Sequence, residues 1–230
     1  MRDSRAPERS PAAPLGEGAA TRLPLATAGM RIGLFGGSFN PAHGAHRAAS
    51  LLALRRLGLD RVWWLVTPGN PLKDNRDLPS LAARVAYART VAHHPLIDVT
   101  GIEARLGTRY SYETVAALRA RLPQVRFVWL MGADNLAHFS RWQRWRDLAN
   151  LLPIAVVDRM GDSLAATASL GAQALGRFRI DESDAAILPT LDPPAWVFLH
   201  GMKSPVSSTG IRAAQRLAEW PARGPMGHKS

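Results

Sequence analysis

The chain has no cysteine, which excludes a disulfide framework and any thiolate-held metal or redox centre. Lysine is scarce: of the 29 basic residues only Lys73, Lys203 and Lys229 are lysine, and the others are arginine. No apolar run approaches the roughly 20 residues that a membrane-spanning helix needs. The first 29 residues are rich in Pro, Ala, Gly and Arg and lack the apolar stretch of a secretory signal, so the cytoplasm is the expected compartment. Acidic residues are the minority charge, 18 against 29, for a net charge of +11, of which +8 falls between residues 30 and 220. Such a balance can mark nucleic-acid binding. No basic helix with interleaved aromatics, zinc finger or RNP-like strand accompanies it, so the expectation is a solvated basic surface that attracts anionic nucleotides, with neither nucleic acid nor membrane as partner.

What is present suits one sizeable domain: 230 residues, 47% of them hydrophobic. Apolar runs rich in Val, Ile, Leu and aromatics at 30–35, 62–67, 97–102, 125–131, 153–157 and 196–200 read as buried strands. Helical patterns at 45–57, 80–92, 111–122 and 135–148, with a weaker one at 163–177, alternate with them. That order implies an α/β fold, a doubly wound Rossmann-like parallel sheet with helices on both faces. Residues 1–29 lack periodicity and are expected to be a disordered leader, 30–220 the folded domain, and 221–230 a disordered tail. Met30 stands just before the first strand, which admits a translation start there. Residues 161–194 form a second weakly patterned stretch, and no internal repeat is visible.

The chemistry-bearing run is Gly36-Gly37-Ser38-Phe39-Asn40-Pro41-Ala42-His43-Gly44-Ala45-His46, directly after the first apolar strand. Glycines without Cβ let backbone N–H groups approach a ligand oxygen, and the helix start that follows adds its positive dipole end. His43 and His46, spaced i, i+3, lie on one helix face. A capping pair or two metal ligands would show the same spacing, but a metal site needs further His, Asp or Glu ligands, and the glycines upstream favour phosphate contact. His93-His94 has no such glycine turn and reads as an ordinary helix end. Further along, Ser207-Ser208-Thr209 reads as a helix N-cap whose amides and hydroxyls face outward, and Arg212 adds a fork of donors. Lys73, in the loop after the second strand, adds a further cation. Gly132-Ala133-Asp134 closes the fourth strand, where the Asp134 carboxylate can accept from ribose hydroxyls.

The first run resembles the GGSFxPxHxGH segment of the HxGH nucleotidyltransferase superfamily, and Ser207-Ser208-Thr209-Gly210-Ile211-Arg212 resembles its second element, in the right order. Within the superfamily the chain is most similar to the bacterial nicotinate-nucleotide adenylyltransferases. His43 separates it from the pantetheine-phosphate adenylyltransferases, which usually carry Thr there. The resemblance implies transfer of the adenylyl group of ATP to nicotinate mononucleotide, with His43, His46 and Arg212 catalytic. Gly36, Gly37, Ser38, Phe39, Lys73, Gly132, Asp134, Ser207, Ser208 and Thr209 would contact ATP. For the acceptor it implies the loop ending in Tyr110-Ser111, where the family has Tyr-Thr, and Trp142 of Phe139-Ser140-Arg141-Trp142, which either stacks on the pyridine or packs in the core. It also implies Arg159, where Met160 replaces the family's proline. Mg²⁺ is implied as the companion of the triphosphate, with no dedicated protein cage for it. The pattern departs from the family at Gly44-Ala45, where the family puts Gly just before the second His. Nicotinamide mononucleotide as acceptor is the nearest alternative. A dinucleotide-dependent oxidoreductase is disfavoured because Gly33-Leu34-Phe35-Gly36-Gly37 does not satisfy G-x-G-x-x-G.

Overall fold

The structure is a computed structural model that describes residues 17–69, 78–158 and 163–201. Its strands are β1 (Arg31–Gly37), β2 (Arg61–Val66), β3 (Ile97–Thr100), β4 (Arg126–Gly132), β5 (Ile154–Asp158) and β6 (Trp196–His200). All pairings are parallel and the sheet order is β3-β2-β1-β4-β5-β6. The chain therefore reverses its winding direction between β1 and β4, and the crevice outside the carboxyl ends of these two strands is where doubly wound sheets bind ligands.

The strands are near-continuous apolar runs because both faces are covered. Alternate residues supply two cores. On one face Phe35, Trp64, Val66, Val128, Leu130 and Val157 meet α2 (Gly44–Leu57) and α3 (Leu81–Ala92). On the other, Leu34, Trp63, Leu65, Trp129 and Met131 meet α5 (Ser111–Arg121) and α7 (Trp145–Leu151). The α2 helix ends where Gly58 takes a left-handed conformation at φ 59°, and Ser80 caps α3 by accepting from the Ala83 amide at 3.2 Å. No helix among the described residues is long and apolar enough to cross a membrane.

Four expectations are corrected. The leader was expected to be disordered through residue 29, but residues 17–29 pack on the domain: a short helix (Glu17–Ala20) buries Ala20, and Leu23 and Ala26 lie against the core. Backbone bonds fix this segment, Gly101 N–H to Ala20 O at 2.8 Å and Gly29 N–H to Gln124 O at 2.9 Å. The third strand stops at Thr100, and Ile102 opens a separate helix (Ile102–Leu106). The pattern at 135–148 is broken into a turn of helix (Ala133–Leu136), a 3-10 turn (Phe139–Arg141) and α7. Both Phe139 and Trp145 are buried and touch at 5.6 Å between centroids, whereas six residues of continuous helix, at about 100° each, would set them about 120° apart around the axis. Arg144, at φ 54°, makes the bend that brings them together. The 163–177 helix is likewise split, into Ser163–Thr167, Leu170–Ala174 and a 3-10 turn, with Ser169 recapping the chain at the Ala172 amide. The weakly patterned stretch is structured from residue 163 on, since a 3-10 helix (Glu182–Thr190) buries Ala185 and Leu188.

Candidate active site

Gly36 and Gly37 end β1 at the reversal point, where a side chain would clash at Gly36 and fit only tightly at Gly37. A Cβ on Gly36 would lie 2.8 Å from the Trp129 ring, and one on Gly37 would lie 3.3 Å from Phe39. Phe39 turns the chain at φ 45°, a left-handed conformation that costs a phenylalanine roughly 1–3 kcal/mol. Packing offsets that cost: the ring stacks on Trp64 at 4.9 Å and 13° and meets Phe35 and His46. The turn then delivers His43 as the N-cap of α2.

The two histidine rings are in contact, tilted 43° to each other with centroids 3.9 Å apart; His43 is buried and His46 half-buried. The His43 backbone N–H donates to Nδ1 of His46 at 3.2 Å. An accepting Nδ1 places the proton of the neutral His46 ring on Nε2, the nitrogen that can then donate to a phosphate oxygen. The capping role is thus filled through Nδ1 of His46, which leaves its Nε2 side outside the capping bond. Beneath it the Trp64 indole N–H donates to Ser50 at 2.8 Å and Ser50 donates to the His46 carbonyl at 2.9 Å, anchoring the first turn of α2 to β2. Ala45, the departure from the family pattern, is buried without displacing that turn, and a Cβ on Gly44 would meet nothing within 4 Å.

Arg84 is a supporting residue that the sequence reading missed. It is 3% exposed, and its guanidinium donates to four carbonyls: Pro79 at 2.9 Å, Ser38 at 2.9 Å, Thr67 at 2.7 Å and Pro68 at 3.0 Å. It thus fastens the turn after β1 to the turn after β2. Burial lowers its pKa, yet arginine starts so high that the group stays charged at neutral pH, a fixed positive charge beneath the turn after β1. Its signal in the sequence was an arginine in the buried stripe Arg84-Ala88-Ala92, at i, i+4 and i+8 of α3.

Gly132 and Asp134 lie at the adjoining end of β4, with Asp134 exposed in the first turn of the short helix there. Trp142 is half-buried, edge-on to Trp129 at 6.2 Å and to Phe139 at 5.4 Å, so it both packs on the core and keeps exposed surface. Tyr110 caps α5 and Ser111 is its first residue. The amides of Arg109 and Tyr110 are held by Glu113 Oε2 at 2.9 and 3.2 Å, so the N–H groups that this helix start offers an anion are those of Ser111 and Tyr112. Lys73, Arg159, Ser207, Ser208, Thr209 and Arg212 lie outside the described residues.

Comparison with known proteins shows the family. Residues 34–214 match the cytidylyltransferase-like family. A probable nicotinate-nucleotide adenylyltransferase of Bradyrhizobium sp. (strain ORS 278) is 58% identical over 183 residues, 80% of this chain and 95% of that protein. One of Brucella suis biovar 1 (strain 1330) is 52% identical over 186 residues, 81% of this chain and 96% of that protein. The chain belongs to the nicotinate-nucleotide adenylyltransferase family. The fold agrees: the Plasmodium falciparum nicotinic acid mononucleotide adenylyltransferase complexed with NaAD superposes with a TM-score of 0.53 at 16% identity, covering 80% of this chain and 83% of that one.

Proposed function

We propose that this adenylyltransferase joins ATP and nicotinate mononucleotide to give deamido-NAD and pyrophosphate, a step of NAD synthesis in the cytoplasm. The contacting His43–His46 pair at the start of α2, beside the Gly36-Gly37 turn and at the sheet's reversal point, carries the reading. An oxygen of the acceptor's phosphate attacks the α-phosphorus of ATP in line with the bond to the β-phosphate. That bond breaks and its electron pair leaves with pyrophosphate. Such a reaction needs positioning and charge neutralisation more than a protein nucleophile. His46 Nε2–H donates to a phosphate oxygen on which charge builds, and His43 orders the same helix start.

Among the described residues no group of three or more His, Asp or Glu is placed to hold a metal ion. Mg²⁺ belongs to the reading as part of the MgATP substrate, bridging triphosphate oxygens. Lys73, Ser207, Ser208, Thr209 and Arg212 are assigned to the triphosphate with Gly36, Gly37, Ser38 and Phe39, and Gly132 and Asp134 to the nucleoside. Tyr110, Ser111, Trp142 and Arg159 are assigned to the acceptor. Ring contact with Trp142 and the amides at the start of α5 suit a flat ring bearing a carboxylate. Pyrophosphate release with nicotinate mononucleotide against nicotinamide mononucleotide tests the reading.

A further inference from the structure

The helix Ile102–Leu106, hereafter α4, hangs at the carboxyl end of β3 and leads through Gly107, left-handed at φ 67°, into the acceptor loop. Glu103 on α4 is 6% exposed, and the mechanism above leaves it without a role. Its backbone carbonyl accepts from the Thr108 amide at 3.1 Å. Its Oε1 lies 3.3 Å from the Thr114 hydroxyl, which in turn is 2.9 Å from the Thr108 hydroxyl and 3.3 Å from the Tyr110 carbonyl. Its carboxyl also hydrogen-bonds Thr67 at the end of β2. Thr67 is itself a junction: its N–H donates to Gly37 O at 3.0 Å, its carbonyl accepts from Arg84, and its hydroxyl donates to Gly69 O at 3.0 Å. One continuous chain of hydrogen bonds thus runs from the Tyr110 loop to the Gly37-Ser38 turn, and Glu103 is the link in its middle.

We propose that Glu103 is a positioning residue for the acceptor side of the site: its buried carboxyl ties the Thr67 hydroxyl to the Thr114 hydroxyl and so holds the 67–69 turn and the 108–111 loop in one register. Hydroxyl bookkeeping gives the proton its place. Thr67 has one hydroxyl hydrogen, and Gly69 O, which can only accept, takes it. The neutral Glu103 therefore donates its O–H to Thr67. On ionisation the carboxylate calls for the Thr67 hydrogen instead, and Gly69 O loses its donor. Loss of the proton loosens the 67–69 turn and places a negative charge behind the loop that receives an anionic acceptor.

Burial pushes this carboxyl from 4.5 up to about 7, against the opposing pull of the Thr114 hydroxyl, so the change falls near neutral pH. The elements packed most closely on α4 are β2 and α5. On the β2 side, among the described residues, Thr67 just past the strand reaches the carboxyl, whereas Arg61 stands at the strand's other end, paired with Asp98. From α5 only Thr114 does, because Glu113 faces the Arg109 and Tyr110 amides. Arg105 on α4 itself is exposed. Because the folded-state value is raised, keeping this group buried costs stability progressively as pH climbs from about 4.5 to about 7, and the cost stays in full above that.

Hydrogen–deuterium exchange on the full chain, comparing wild type with E103A and E103Q at pH 6 and pH 8, tests the linkage without substrate. The Gln side chain can donate to Thr67 and accept from Thr114 at either pH. At pH 6, E103A should exchange about tenfold faster, the loss of roughly one hydrogen bond, at 67–69 and 108–114 together, while E103Q stays within about threefold of wild type. Between pH 6 and 8, after correction for intrinsic rates, wild type should loosen both segments and E103Q should not. Exchange in E103A that matches wild type, or rises in one segment alone, overturns the proposal. If E103A does not fold, E103Q decides: a pH response equal to wild type overturns it. The kinetic consequence rests on the adenylyltransferase reading: E103A should raise the acceptor KM about tenfold with kcat within about threefold. If wild type transfers adenylyl to no acceptor, that reading fails, and the exchange comparison still judges Glu103.

Discussion

At the scale of single residues the site depends on how few degrees of freedom its side chains keep. His46 has Nδ1 occupied by a backbone N–H, its carbonyl tied to Ser50, and Phe39 and Trp64 against its ring. In the proposed reaction the imidazole would meet the phosphate with its tautomer and orientation already set, which is the condition under which a hydrogen-bond donor stabilises developing charge. Replacing His46 with alanine should lower kcat about 10²–10⁴-fold. The same change removes the acceptor for the His43 amide, which should cost only about 1 kcal/mol of stability. Turnover measured beside a thermal melt separates the two. A folded His46→Ala enzyme with near-normal turnover would remove His46 from the mechanism. Arg84 acts differently, as a buried charge whose partners are carbonyls, holding together the turn after β1 and the turn after β2.

At the scale of elements, β1 and the start of α2 do most of the positioning, and their sequence says so openly. Alternating burial on both faces made every strand readable from its apolar run, and the two glycines marked the turn because Trp129 and Phe39 leave little space there. Gly36→Ala should lower stability by about 1–3 kcal/mol, since its Cβ would meet a tryptophan ring held between strands and helices. Ala45→Gly, which restores the family's residue, should leave kcat nearly unchanged and cost roughly 0.5–1 kcal/mol through added backbone freedom in a helix. Chemical denaturation of both variants checks the contrast; an equal cost for both would mean that the glycine turn is not sterically required. Other elements were illegible for a physical reason. The segment from Asn135 to Leu148 has helical composition, but Phe139 and Trp145 must reach one core from positions that a continuous helix would turn apart. Glu103 and Arg84 were hidden because a lone charged residue in an apolar stretch declares its role only when its partners, distant in sequence, are in place.

At the scale of the whole molecule, the sheet order brings four distant segments to one crevice: the turn after β1, the turn after β2, the loop before α5 and the end of β4. The alternation of strands and helices in the sequence was enough to give that architecture. The role of residues 17–29 was not readable, because a segment with no periodicity can still be fixed by backbone bonds and a few small apolar contacts. A chain beginning at Met30 should melt roughly 5–10 °C lower than the full chain, as about 2–3 kcal/mol of burial and bonding is lost at 2–4 °C per kcal/mol. An unchanged melting temperature would show that the segment contributes nothing. The net charge of +11 suits a crevice that gathers two anionic substrates, and it makes their capture weaken as salt rises. The most direct measurement follows pyrophosphate release from MgATP labelled at the α-phosphorus, with nicotinate mononucleotide and nicotinamide mononucleotide as rival acceptors. The expected result is label passing into a dinucleotide with strong preference for the acid; preference for the amide would contradict the proposed acceptor, and no release with either would contradict the proposed reaction.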